Sequence, residues 1–179
     1  MNEGQERQVL WEGRFIRVLR HGRWEYVERV NASGAVAILA VTADARVLLV
    51  EQHRIPLGGR AIELPAGLVG DEPGEGDGDL AQAARRELLE ETGYAAKEME
   101  LLTEGPISAG LSNEMVSFVR ATEVKKVGDG GGVGHEAIEV HEVPLTGLHD
   151  WLEQRRAAGT FVDPKVYTGL YFAERRGGH

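Results

Sequence analysis

Two apolar runs, Ala35–Val41 (AVAILAV) and Arg46–Gln52 (RVLLVEQ), stand out along the chain and are separated by the polar residues Thr42–Ala45. They are predicted as buried strands joined by a short turn. Ala61–Leu64 is a further short strand running into Pro65-Ala66-Gly67. Asp79 is placed to cap a helix from Leu80 to about Thr92, which Gly93 stops. Met99–Leu102, Met115–Ala121 and Glu139–Val143 read as later strands, and Leu145–Arg156 and Pro164–Arg175 as later helices. Near the N-terminus, Trp11–Val30 alternates as a hairpin turning at His21-Gly22, an edge element able to pair with a partner subunit. The sum is a mixed sheet with few helices, an α+β or α/β/α arrangement.

Composition narrows the function classes. A chain of 179 residues with 42% hydrophobic residues suits one compact domain, and no apolar run has the length of a membrane helix. There is no cysteine, which removes disulfides, thiolate chemistry and cysteine-ligated zinc, and fits a cytoplasmic protein. The net charge of −9 argues against a general nucleic-acid binder. It leaves room for a small phosphorylated ligand held through divalent cations and a few arginines. The 24 glycines concentrate in Gly70–Asp79 (GDEPGEGDGD) and Gly128–Gly134 (GDGGGVG), both expected as flexible loops.

The chemistry concentrates in Arg86-Glu87-Leu88-Leu89-Glu90-Glu91-Thr92-Gly93-Tyr94. At about 100° per residue, Glu87, Glu90 and Glu91 share one broad helix face, while Leu80, Ala84, Leu88 and Ala81 turn toward a core. Carboxylates crowded at such spacings repel and call for a compensating cation. One solution is an exposed acidic face balanced by Arg85 and Arg86; the other is a set of hard oxygen ligands for Mg²⁺ or Mn²⁺.

The segment, preceded by a glycine and an acidic loop, resembles the Nudix box, in which a glycine, five residues, a glutamate and seven residues lead into REUXEEXGU, U being bulky and apolar. Arg86, Glu87, Leu88, Glu90, Glu91, Gly93 and Tyr94 match its second half, and Gly67 stands as its opening glycine. Seven residues rather than five separate Gly67 from Glu75, and ten rather than seven separate Glu75 from Arg86, an insertion that leaves the role of Glu75 or Glu72 open. Glu63-Leu64-Pro65-Ala66-Gly67 is similar to the ELPAG turn of ADP-ribose and nucleoside-diphosphate-sugar pyrophosphatases, in which the alanine carbonyl ligates metal. Gln52-His53-Arg54 resembles their QXR, whose arginine orients box carboxylates or substrate phosphates. Ser108–Glu114 resembles their SPGXXXE segment with Ala109 in place of the proline.

The resemblance implies a Nudix-type α/β/α sandwich with a mixed central sheet over residues 33–179, after an N-terminal β extension over residues 1–32 used for dimerisation and substrate contacts. It implies Mg²⁺- or Mn²⁺-dependent hydrolysis of the diphosphate bond of a nucleotide sugar. The metal ligands would be Glu87, Glu90, Glu91 and the carbonyl of Ala66. Arg86 would hold the glutamates, and Glu90 or a glutamate after the glycine loop, Glu136 with Glu139 in reserve, would be the base. Trp24, Arg29, Arg54 and Phe15 would contact base and phosphates. The implied partners are a small nucleotide derivative and a second copy of the chain, with neither nucleic acid nor membrane. The alternatives are a Nudix hydrolase of another nucleoside diphosphate derivative (dinucleoside polyphosphate, coenzyme A, NADH) and a nucleotide-sugar sensor without catalysis.

Overall fold

A computed structural model describes residues 6–70, 79–134 and 137–175. Three strands, β1 (Gln8–Glu12), β2 (Ile16–His21) and β3 (Trp24–Arg29), form an antiparallel sheet in that order. The β2–β3 turn falls at Gly22, whose φ of 61° suits a residue without Cβ. The expected hairpin is therefore present, and β1 is an additional strand that the alternation after Trp11 did not mark.

The apolar runs form β4 (Gly34–Ala40) and β5 (Arg46–Arg54). A single 3₁₀ turn, Ile55–Leu57, then leads to β6 (Gly59–Glu63) and β7 (Ala66–Val69). Helix α1 (Leu80–Thr92) is followed by β8 (Tyr94–Ala95), β9 (Glu98–Pro106), β10 (Met115–Thr122), β11 (Lys125–Lys126) and β12 (Glu139–Pro144). Helix α2 (Leu148–Ala157), strand β13 (Phe161–Val162) and helix α3 (Pro164–Glu174) complete the described chain. One four-stranded sheet runs β7-β4-β10-β9 and another β12-β5-β6-β13; each contains one parallel pair, so both are mixed. No helix among the described residues is long and apolar enough to cross a membrane.

The period-2 alternation of strand side chains divides the core in two. Val36, Ile38 and Leu48 pack with Ala83, Ala84 and Leu88 of α1. Ala37, Leu39, Val47 and Leu49 pack with Leu148 and Leu152 of α2 and Val166 and Leu170 of α3. The sheets thus lie between α1 and the later helices. Ala83, rather than Ala81, completes the buried stripe of α1.

Three other boundaries depart from the sequence reading. Pro65-Ala66-Gly67 is not only a turn, because β7 starts at Ala66 and pairs with β4. The strand expected at Met99–Leu102 runs from Glu98 to Pro106. Helix α2 begins three residues after Leu145, whose N–H is taken by the Ala45 carbonyl (2.9 Å). The largest departure concerns Gly128–Gly134. Rather than standing free, Gly131 and Gly132 donate N–H groups to the carbonyls of Glu91 (2.9 Å) and Glu90 (3.0 Å) at the end of α1.

Candidate active site

Helix α1 has its limits set by its own ends. The Asp79 side chain accepts from the Gln82 N–H (3.0 Å), and Gly93, in the left-handed region at φ 74°, donates to the Leu89 carbonyl (2.8 Å). Full burial of Leu88 on this helix contributes about 2 kcal/mol of apolar transfer free energy and sets the rotation of the helix. Its glutamates then face the β7 strand.

Glu91 is buried, and its Oε2 accepts from the Ala66 N–H (3.0 Å). Glu87 packs on the Cα of Gly67: a Cβ there would stand 2.0 Å from its carboxylate. Glycine at this position is thus a requirement for close approach. Arg86 Nη1 donates to Glu87 (2.8 Å) and reaches Glu90 at 3.5 Å.

Glu87, Glu91, Ala66 and Gly67 line one side of a cavity of about 390 Å³. Across it stand Arg29, Arg54, Glu63, Glu114 and Lys165. Glu63 is buried at the end of β6, bonded by Gln52 (3.1 Å) and by Arg54 through Nε and Nη2 (3.0 and 2.7 Å). Arg29, from β3, is ion-paired with Glu114. That segment also anchors the N-terminal sheet, since the Val27 N–H donates to the Leu111 carbonyl (2.8 Å) and Asn113 to Glu28 (2.7 Å).

The donor set fits a divalent cation. Among the described residues the lining holds four carboxylates (Glu63, Glu87, Glu91, Glu114) against three cationic side chains (Arg29, Arg54, Lys165). Left so, it would repel an anionic diphosphate, and hard cations on its carboxylates reverse that sign.

The structure therefore brings Arg29, Arg54, Ala66, Glu87 and Glu91 to one cavity. Glu90, on the same side of α1, is held by Arg86 outside the lining residues. Arg54 meets Glu63 rather than a box glutamate. Trp24 lines a different cavity, of about 430 Å³, with His21, Tyr26 and Asn113. Phe15 is exposed beside Arg14. Glu136, Glu72 and Glu75 lie outside the described residues. Glu63, Glu114 and Gln52 were not singled out from the sequence, although each stands in a segment that resembled the family's.

Glu139 stands elsewhere. It faces Glu51 across the β12–β5 pairing and bonds Arg60 (3.1 Å), on the side of β5 opposite Gln52 and Arg54. Oxygens of Glu51 and Glu139 and a nitrogen of His141 lie within 4.8 Å of one another, a spacing that suits a metal. Glu51, however, is bonded by Arg60 (2.6 Å), by His141 (2.9 Å) and by Arg155. Burial alone would raise its pKa, but these three donors outweigh it and hold the carboxyl down at about 2.

Comparison with known proteins agrees with this geometry. The family model of the NUDIX domain matches residues 32–163. The chain is 31% identical over 156 residues to the methanol dehydrogenase activator of Bacillus methanolicus, across 83% of this chain and 82% of that protein. It is 36% identical over 140 residues to the ADP-ribose pyrophosphatase of Bacillus subtilis (strain 168), across 76% and 72%. It is also 36% identical over 138 residues to a GDP-mannose pyrophosphatase of Citrobacter koseri, across 72% and 67%. The crystal structure of an ADP compounds hydrolase superposes with a TM-score of 0.68 at 20% identity, over 95% of this chain and 90% of that one, a likeness of fold.

Proposed function

The chain belongs to the NUDIX domain family and is a Nudix hydrolase, and from that premise we propose that it cleaves the diphosphate bond of a nucleoside-diphosphate sugar with Mg²⁺ or Mn²⁺. The single observation that carries this reading is the cavity in which Glu87 and Glu91 of α1 face Arg29 and Arg54. Two of the similar proteins are pyrophosphatases, of ADP-ribose and of GDP-mannose. We therefore assign the diphosphate as the common element of the substrate and leave the base to experiment.

The reaction consumes one water. Its oxygen bonds to one phosphorus while the bridging P–O bond breaks, giving a nucleoside monophosphate and a sugar phosphate. Glu87, Glu91 and the Ala66 carbonyl would hold the divalent ion, with Glu90 a further ligand. The bound ion would neutralise phosphate oxygens and lower the pKa of a water. Arg86 orients Glu87 and Glu90 by charge-assisted bonds. Arg54 and Arg29 are assigned to the diphosphate, each reached by exchange of a carboxylate partner, Glu63 or Glu114, for phosphate oxygens. Glu136 is assigned as the base that takes the water's proton, on the family resemblance alone.

Residues 1–32 are assigned to contacts with a second copy of the chain. Trp11 and Trp24 on these strands, and Phe15 between the first two, are each more than half exposed. Pairing of two copies offers such side chains to a neighbouring cavity that this copy's own Trp24 and Phe15 do not line. Sedimentation velocity tests the dimer: a monomer at micromolar concentration would remove this part. The activity is tested by ³¹P NMR of ADP-ribose, GDP-mannose and UDP-glucose incubated with protein and Mg²⁺ or Mn²⁺ in H₂¹⁸O. Two monophosphate products, one carrying ¹⁸O, are expected; intact diphosphate throughout would reject the reading.

A further inference from the structure

The glycines after β11 lie along the last turn of α1. The last carbonyls of a helix have no donors within it. Here the N–H groups of Val127 and Gly128 both donate to the Gly93 carbonyl (2.8 and 3.0 Å). Gly131 donates to Glu91 and Gly132 to Glu90, so two of the carbonyls left open at the end of α1 are met by this segment. The Gly131 carbonyl in turn accepts from the Ile138 N–H (3.3 Å), which ties the start of β12 to the same point.

At Gly130 and Gly93 the two backbones are too close for a side chain. A Cβ on Gly130 would stand 2.4 Å from the Thr92 carbonyl carbon and 2.8 Å from the Glu91 oxygen. One on Gly93 would stand 2.3 Å from the Gly128 oxygen. These are main-chain atoms, so no change of rotamer relieves the collision. Both residues also have positive φ, 69° and 74°, where a side chain is strained.

The carbonyls held in this way belong to Glu90 and Glu91, and the Glu91 side chain lines the cavity. We propose that Gly130, closing against Gly93, is a positioning residue: its backbone clasp keeps the last turn of α1 from fraying and so holds the Glu90 and Glu91 carboxylates ready for a divalent cation. The proposal rests on the metal-dependent hydrolase reading above.

Manganese titration followed by the EPR signal of free Mn²⁺ tests it. Gly130→Ala is expected to bind Mn²⁺ ~10-fold or more weakly, as loss of supporting contacts does at metal sites. Measured well below the variant's melting temperature, where the protein is fully folded without metal and metal-linked refolding adds nothing, its kcat should be low at limiting Mn²⁺ and recover as Mn²⁺ is raised. Gly128→Ala adds the same methyl two residues away with no atom nearer than Gly93 Cα at 4.0 Å, and should bind as the unsubstituted protein does. Gly130→Ala with a lowered melting temperature but unchanged Mn²⁺ affinity would overturn the proposal. Should Gly130→Ala not fold, amide exchange of the unsubstituted, metal-free protein decides. The Gly131 and Gly132 N–H groups should be protected, and exchange at the rate of an open loop would overturn the clasp. Absence of diphosphate cleavage by the unsubstituted protein would instead reject the hydrolase reading, and the exchange measurement would still judge the clasp.

Discussion

Glu51, on strand β5, and Glu91, on helix α1, are both buried carboxylates, yet they are neutralised in opposite ways. Glu51 meets two guanidinium groups and an imidazole, from Arg60, Arg155 and His141. Its cluster is complete without an added cation, and neighbouring positive charges would repel one. Glu91 takes a backbone N–H from Ala66 and borders a cavity whose carboxylates outnumber its cationic side chains. Metal-like spacing alone does not mark a metal site: the Glu51, Glu139 and His141 group has the spacing, and the cavity beside α1 has, among the described residues, the excess of carboxylates. Buried ion clusters of the first kind fix structure, because removing one member leaves the others without a partner in a low-dielectric setting.

Exchanging one carboxylate in each region separates the two roles. Glu91→Gln should lower kcat/KM for the best nucleotide sugar by on the order of 10³-fold, the loss of several kcal/mol of transition-state stabilisation, with an unchanged circular dichroism spectrum. Glu51→Gln should retain kcat/KM within about threefold but lose about 3 kcal/mol in urea unfolding, the scale of breaking a buried ion pair. The acid limb sharpens that contrast. The folded-state pKa of Glu51 lies at about 2, below its ordinary 4.5. Its stabilisation is therefore present above pH 4.5 and is lost as pH falls toward 2; Glu51→Gln should flatten that part of the stability–pH curve.

Smaller effects follow. Gly67→Ala should displace the Glu87 carboxylate and lower kcat by about tenfold to a hundredfold, with little change in melting temperature, because the displaced group is a side-chain end. Tyr94→Phe, at the end of α1, should cost about 1 kcal/mol, the scale of one hydrogen bond, here to Glu142. Burial, then that bond, pushes the Tyr94 hydroxyl up to about 12. Its contribution is fully present below pH 10 and is lost as pH rises through 12, so the two proteins should converge in stability at the alkaline end.

What was legible in the sequence follows the range of the forces involved. Helix α1 was read residue for residue because Asp79, Gly93 and the Leu88 stripe act within a turn or two. The strands β4 and β5 were marked by their own apolar runs. The glycine segment at 128–134 looks loose in the sequence because its partner, Gly93, lies some way back in the chain, and glycine composition alone does not distinguish flexibility from close packing. The Glu51 cluster was invisible for the same reason, its partners arriving from β6, β12 and α2. Arg54 was singled out, but its partner Glu63 was not, since pairing across β5 and β6 depends on register. Trp24 was read with Arg29, and the fold puts the two side chains in different cavities.

The most direct measurement of where the cation sits is Mn²⁺ binding by the unsubstituted protein, Glu91→Gln and Glu51→Gln, followed by isothermal titration in the absence of nucleotide. Glu91→Gln should lose binding while Glu51→Gln keeps it. Binding that survives in Glu91→Gln and disappears in Glu51→Gln would contradict this placement and move the metal to the opposite face of β5.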